Sequence, residues 1–273
     1  MAIVFHIIRF LPRVLLSRIV GALSELALPT SVHRIVIRGF VLLYRVNIDE
    51  IEKPISRYST FGEFFCRNLK PNARLIGEGF VSPVDGVFRG VIPLQESSTV
   101  SVKESLFTLP VLLGSNDWAE PYRGGICYEF YLSPRHYHRV HMPCGGRIVA
   151  SRYIHGDLWP VEDVTRTRVP YLFDRNRRIA IKIETEEHGE CMLIMVGAFN
   201  VGRILTEFDD WSSPKTMPQE TREYSNPADL RKGEKVGAFL LGSTVLFLFP
   251  RTQDCDARFF GKEVLVGESI FSK

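Results

Sequence analysis

The chain has 273 residues, 45% apolar and 24% charged, with a formal charge of only +3 at pH 7. That length supports one large domain or a domain with an appendage, and that composition excludes wholesale disorder. A charge so small argues against a general nucleic-acid binder, which would carry a strong basic excess on one face. The five cysteines, Cys66, Cys127, Cys144, Cys191 and Cys255, are odd in number, and none forms a C-x-x-C pair. They support neither a disulfide framework nor a zinc knuckle, and they read as core thiols in a reducing compartment.

Residues 1–46 differ in texture from the rest. They hold six arginines, at positions 9, 13, 18, 34, 38 and 45, no lysine, and one acid, Glu25, among Ile, Leu, Val and Phe. No apolar run reaches the ~18 residues of a membrane-spanning helix. The arginines also interrupt what would be the apolar core of a secretory signal, while an Arg-rich organellar transit sequence stays open. Pro12 and Pro29 divide the stretch, and each suits the first turn of a helix. From Val32 to Val46, the residues Arg34, Arg38 and Arg45 fall within about 40° of one another on a helical wheel. Ile35, Val36, Phe40, Leu42 and Leu43 cover its other faces. A narrow basic stripe on a greasy helix suits an interfacial membrane helix whose guanidinium groups reach phosphates. A helix packed on the protein's own core, with one solvated stripe, would show the same pattern.

From Tyr58 the pattern changes. Thr60 followed three residues later by Glu63 predicts a capped helix start. After Pro71 the chain reads as mainly β. Arg178 to Glu184 alternates with period two, as a half-buried strand does, and Cys191 to Val196 is a short apolar run suited to a buried strand. Val236 to Phe249 is another apolar stretch, interrupted by Gly242, Ser243 and Thr244. Residues 209–229 are polar, contain three prolines, and read as a long loop.

Three segments carry candidate chemistry. Ser82-Pro-Val-Asp-Gly86 is a turn signal that presents Asp85 between apolar strands. Tyr131 to Pro143 packs three of the chain's seven histidines, His136, His138 and His141, into six residues. On an extended run His136 and His138 share one face and His141 the other. No complete metal-ligand pattern accompanies them. In Leu240-Leu-Gly-Ser-Thr-Val245, hydroxyls sit inside an apolar strand, where each needs a partner. Gly242 leaves its carbonyl open to a nucleophile, although Gly-Ser is also common at a β-bulge. Asp85, His141 and Ser243 have the residue types of a nucleophilic triad: orienter, base and nucleophile.

These blocks resemble the phosphatidylserine decarboxylases of the bacterial and mitochondrial type. The matching pieces are PVDG (83–86), YLSPRHYHRVHMP (131–143), GDLWPV (156–161), LFDRNRR (172–178), VGAFNVG (196–202) and KGEKVGAFLLGST (232–244). Three positions depart from the family pattern: His136 stands where aspartate is common, Val84 where alanine is usual, and Arg177 where glutamate is usual.

The resemblance implies an α+β fold, with N-terminal membrane-associating helices over 1–46 followed by a mainly-β catalytic domain over 47–273. It implies that Asp85 orients His141, and that His141 takes the proton from Ser243. Ser243 then attacks the carbonyl of Gly242, turning that peptide into an ester. Elimination cuts the chain between Gly242 and Ser243 and leaves a pyruvoyl group in place of Ser243. That ketone is the electron sink that loss of CO2 from an amino acid requires. His138 is the implied proton donor to the carbon that loses CO2.

The resemblance further implies a phosphatidylserine substrate in an anionic membrane and a heterodimer of large and small fragments. No nucleic acid is implied, and a higher homo-oligomer is left open. The expected place is peripheral, on the cytoplasmic face of a bacterial inner membrane or, alternatively, on the mitochondrial inner membrane. Arg135 and Arg139 are the candidates for holding the phosphate. Two other readings compete. A serine hydrolase would use the same three residues in an uncut chain, but no G-x-S-x-G elbow supports it. A non-catalytic β-domain tethered to a membrane would show neither cleavage nor a ketone.

Overall fold

The computed structural model describes residues 11–95, 99–102, 105–199, 203–209, 219–240, 243–251 and 255–270. Gly242, one half of the expected cleavage site, and residues 1–10 lie outside them. Helix α1 (Arg13–Ser24) begins directly after Pro12, and α2 (Thr30–Tyr44) directly after Pro29. A residue without an N–H costs nothing there, because the first amides of a helix have no intrahelical acceptor. Arg45 ends α2 in a left-handed conformation, with φ of 55°. It therefore leaves the helix, and the expected three-residue basic stripe reduces to Arg34 and Arg38 on α2 itself. Among the described residues no helix is long and apolar enough to cross a membrane.

The α1–α2 pair docks through few side chains. Ser17 and Ser24 are the buried residues of α1, and His33 and Ile37 those of α2. Ile37 packs with Val46, Ile51, Tyr58 and Phe64, and Phe40 meets Phe61 edge-on, with centroids 5.0 Å apart. Phe61 and Phe64 belong to the short helix α3 (Phe61–Phe65). Its start is capped as expected: Glu63 N donates to Thr60 Oγ1 at 3.1 Å, and the Glu63 carboxylate accepts from Ser59 N at 2.7 Å.

The rest is mainly β. Along the chain the strands are β1 (Gly86–Pro93), β2 (Thr99–Val102), β3 (Ser105–Thr108), β4 (Ile126–Leu132), β5 (Arg139–His141), β6 (Gly146–Ile154) and β7 (Arg178–Thr185). They continue as β8 (Gly189–Gly197), β9 (Ile204–Thr206), β10 (Glu220–Leu230), β11 (Lys235–Phe239), β12 (Ser243–Phe249) and β13 (Lys262–Val264). Eight of them form one sheet in the order β10-β6-β7-β8-β12-β4-β1-β13, while β5-β11-β9 form a second sheet and β2-β3 a hairpin. Each pairing in the large sheet is antiparallel. Strand β12 lies between β8 and β4, and all seven of its residues are buried.

Two expectations need correction. Residues 220–229, read as part of a long loop over 209–229, belong to the edge strand β10 (Glu220–Leu230). Its register slips between Glu223 and Ala228, which places Pro227 in a bulge. An edge strand at a bulge tolerates a proline, because no ladder hydrogen bond is lost there. Strand β7 is buried on both faces through Ile183, except for the partly buried Lys182, rather than half-buried. Its charged residues are accommodated singly: Lys182 lies over the Trp118 ring, and Arg178 donates to the carbonyls of Leu112, Asp174, Asn176 and Val111.

Candidate active site

The three chemical segments converge at one end of the large sheet. In register, Ser243 at the start of β12 faces Leu132 at the end of β4, and Gly197 at the end of β8. Asp85 immediately precedes β1, whose Val87 pairs with Tyr131 of β4. A Cβ at Gly86 would fall 2.6 Å from the Tyr131 carbonyl oxygen, so only glycine allows this close approach. The amide of His141 donates to the Pro83 carbonyl at 2.8 Å, stitching the histidine segment to the same bend. Phe239 N donates to the His138 carbonyl at 2.9 Å, so the chain leading toward Ser243 leaves β11 beside His138.

The histidine run is not extended throughout. A turn closes with His136 N donating to the Ser133 carbonyl, and only Arg139–His141 is strand. Arg67 locks that turn by donating to the carbonyls of Arg135 and His136, both at 3.1 Å. His136 Nδ1 accepts from Ser133 N at 2.9 Å. Burial, helped by the Arg135 charge, pushes the His136 pKa down to about 4.

His138 is fully buried against the Phe65 ring, with centroids 4.2 Å apart. A carbonyl can only accept, so the 2.9 Å contact of Nδ1 with the His136 carbonyl puts the ring proton on Nδ1. Nε2 is then a bare lone pair, buried and without a partner among the described residues. Burial pushes the His138 pKa down to about 3, which keeps the ring neutral.

The same logic settles the His141 tautomer. Nδ1 lies 2.7 Å from the Gly233 carbonyl and donates to it, so Nε2 accepts from the Tyr137 hydroxyl at 3.1 Å. Burial lowers the His141 pKa, while the Gly233 bond and the nearby Asp85 charge act against that shift.

Asp85 is held elsewhere. Its Oδ1 accepts from Arg74 Nε and Val266 N, each at 2.9 Å, and its Oδ2 accepts from Arg74 Nη2 at 2.5 Å. Arg74 also reaches Glu50 at 2.9 Å. Among the described contacts no hydrogen bond joins Asp85 to His141, or either histidine to Ser243. Ser243 Oγ and Thr244 Oγ1 are both buried and unpartnered among the described residues. An unmade hydrogen bond of this kind costs about 1–3 kcal/mol per group.

The phosphate candidates are occupied. Arg135 pairs with Glu263; Arg139 pairs with Glu207 and donates to the Cys66 carbonyl at 3.0 Å. Arg74, Tyr137 and Arg67 escaped the sequence reading. Tyr137 lay inside the quoted histidine block, where its spacing of four from His141 was a usable signal. Nothing local marks Arg74 as the partner of Asp85. For a metal, the described residues contain no group of three or more His, Cys, Asp or Glu able to hold one.

Buried hydroxyls without a partner among the described residues, on a strand that meets the histidine segment, are what an enzyme site leaves open for reaction. The phosphatidylserine decarboxylase family model matches residues 61–272. Among curated relatives, the phosphatidylserine decarboxylase proenzyme of Myxococcus xanthus is 36% identical over 246 residues, covering 89% of this chain and 88% of that protein. The proenzyme of Anaeromyxobacter sp. is 36% identical over 272 residues, covering 96% and 95%. That of Polaromonas naphthalenivorans is 39% identical over 225 residues, covering 79% and 77%. The chain belongs to the phosphatidylserine decarboxylase family.

Proposed function

We propose that this chain converts phosphatidylserine to phosphatidylethanolamine and CO2, using a pyruvoyl group made from its own Ser243. The observation that carries the reading is the buried Ser243 Oγ at the head of β12, which has no partner among the described residues. A hydroxyl left without a partner in the core fits a group that is to be consumed, because nothing else in the fold depends on it. The pyruvoyl ketone supplies the electron sink for decarboxylation.

His141 is the base for Ser243. Its Nε2 lone pair is already the acceptor, and the Tyr137 hydroxyl must yield for Ser243 Oγ to take its place. Asp85 acts on His141 through space: its charge favours the protonated ring, and Arg74 holds the carboxylate still. The Ser243 oxygen then attacks the Gly242 carbonyl. His138 serves the second reaction. Its Nε2 is a bare lone pair in the resting fold, so it takes a proton from the substrate ammonium as the amine condenses with the ketone and returns it to the carbon that has lost CO2.

After the cut, residues 243–273 stay in place. Strand β12 is hydrogen-bonded to β4 on one side and β8 on the other, so the small fragment is sewn into the middle of the sheet. The two fragments form the working unit.

The substrate comes from the membrane side. Leu15, Ile19, Leu23, Ile35, Leu42 and Leu43 are exposed along α1 and α2, an apolar surface that suits insertion at a lipid interface. Attachment is peripheral, to an anionic leaflet such as the cytoplasmic face of a bacterial inner membrane.

Intact-mass measurement of the purified protein tests the reading. The expected result is a fragment ending at Gly242, a second fragment of residues 243–273 that reacts with a hydrazide, and CO2 release from phosphatidylserine. A single uncut chain that decarboxylates at full rate would sink the assignment.

A further inference from the structure

Arg34 and Arg38 of α2 are exposed, and neither has a hydrogen bond or ion pair among the described residues. By contrast, Arg13, Arg74, Arg135, Arg139 and Arg203 are each paired with a carboxylate. The two open guanidinium groups line a groove of about 620 Å3, together with Lys70, Glu52, Ile48 and Ile55. That volume falls within the range of small-molecule sites, about 300–1,000 Å3. Lys70 Nζ donates to the Asp49 carbonyl at 2.6 Å and keeps its other protons for a ligand. Glu52 Oε2 accepts from Asn68 Nδ2 at 3.1 Å, and its second oxygen has no partner among the described residues. None of Asp85, His138, His141 and Ser243 lines the groove, so it is separate from the active site.

The helix sets the depth of this groove. At about 100° per residue, Arg38 lies about 40° from Arg34. Leu42, Ile35, Val32, Leu43 and Val36 follow between about 80° and 200°, and all five are exposed. The buried His33 and Ile37 lie at about 260° and 300°. The arginines therefore stand between the exposed apolar arc and the docked face. With that arc among acyl chains, the arginines come level with lipid phosphates, and the groove opens beside them.

Resting on the functional reading above, we propose that this groove is a second lipid site, which holds one phosphatidylserine molecule by its head group. Arg34 and Arg38 take the phosphate, for which a guanidinium fork is well shaped. Lys70 takes the serine carboxylate, and Glu52 takes the ammonium. The head group so held carries a net negative charge into a lining of three cations and one acid. Decarboxylation removes the group that Lys70 binds, so the zwitterionic product is held less well than the substrate. The site keeps the enzyme on membrane that still carries substrate.

The test uses the uncut Ser243→Ala chain, so that vesicle phosphatidylserine is not consumed. Its affinity is measured by sedimentation with phosphatidylcholine vesicles doped with equal fractions of phosphatidylserine, phosphatidylglycerol or phosphatidylethanolamine. Phosphatidylglycerol has the same net charge as phosphatidylserine but neither its carboxylate nor its ammonium. Binding to phosphatidylserine should exceed binding to each of the others by about 5-fold or more, the scale of one basic contact. Adding Lys70→Gln should bring phosphatidylserine down to the phosphatidylglycerol level and leave phosphatidylglycerol unmoved. Adding Arg34→Gln with Arg38→Gln should weaken binding to both anionic lipids by about 30-fold, the scale of two basic residues at an anionic surface.

Equal binding of phosphatidylserine and phosphatidylglycerol by the parent chain would mean a diffuse basic patch, and it overturns the proposal without any variant. So does a Lys70→Gln chain that loses both lipids alike, or an arginine pair whose removal leaves binding unchanged. At constant ionic strength, glycerophosphoserine should displace the protein from phosphatidylserine vesicles more effectively than inorganic phosphate. Equal displacement by the two would make the groove a site for free phosphate and sink the idea. A processed wild type that releases no CO2 from phosphatidylserine overturns the functional reading, whereas the vesicle outcomes overturn this inference alone.

Discussion

In α1 the fully buried residues are Ser17 and Ser24, and Val14, Leu16 and Val20 are half-buried, while Leu15, Ile19 and Leu23 are exposed. In β12 every residue from Ser243 to Phe249 is buried, and the two hydroxyls among them have no partner among the described residues. Each region breaks an ordinary rule: the helix puts apolar groups outside, and the strand puts unsatisfied polar groups inside. The two violations teach different things. An inverted helix fits a surface whose outer medium is lipid rather than water. An orphaned hydroxyl in a close-packed strand fits a group kept for reaction. Function sits where stability alone would have chosen otherwise.

The comparison breaks most sharply at Ser243. Ser243→Ala should leave the chain full length and lower CO2 release by about 1,000-fold or more, since no residual mechanism replaces a missing reactive group. Its thermal midpoint should stay equal or rise, because the variant removes an unpaired buried hydroxyl. A gel and a melting curve read both outcomes. A clear loss of stability would mean that Ser243 is structural.

The two histidines should separate next. His141→Ala should accumulate uncut. His138→Ala should still be cut and still react with a hydrazide, yet decarboxylate about 100-fold or more slowly, the scale of a lost general acid. The reverse pattern would exchange their roles while leaving the reaction class intact.

The helical side is tested by Leu42→Asp combined with Leu43→Asp. Both residues are exposed and remote from the imidazoles in sequence. On the proposed membrane contact, replacing both leucines should weaken sedimentation with anionic liposomes by about 100-fold. Turnover of a dispersed short-chain substrate should hold. Unchanged liposome binding would move the membrane contact elsewhere on the molecule.

The smallest effect concerns acid. His138 has its pKa lowered to about 3 in the fold, against about 6.5 in the unfolded chain. Between those values the unfolded chain binds the extra proton, so stability falls as pH drops below about 6.5 and is fully present above it. In the uncut Ser243→Ala background, going from pH 7 to 5.5 should cost about 1 kcal/mol through this residue, or roughly 2 °C in Tm. Adding His138→Phe should remove that part of the loss. An unaltered acid profile would show that the fold does not lower the His138 pKa.

Much of this protein was readable from its sequence. The Thr60 cap, the two prolines that open α1 and α2, and the buried strands β8 and β12 follow from local rules of capping, missing amides and apolar runs, which need no knowledge of neighbours. The Ser243 and histidine segments were visible because their residue types are unusual for their surroundings.

Tertiary structure decided the remainder. Only an edge position and a bulge make Pro227 acceptable in a strand, and neither is encoded within residues 220–230 themselves. The His138 and His141 tautomers depend on which carbonyl lies opposite, His136 for one and Gly233 for the other. Arg178 is quenched while Arg177 keeps two nitrogens without a partner among the described residues, because adjacent side chains on an extended backbone point to opposite sides and meet different neighbours. Residue types and their spacing name the chemistry a chain can hold; which lone pairs and cations remain open for it is set by contacts between segments far apart in sequence.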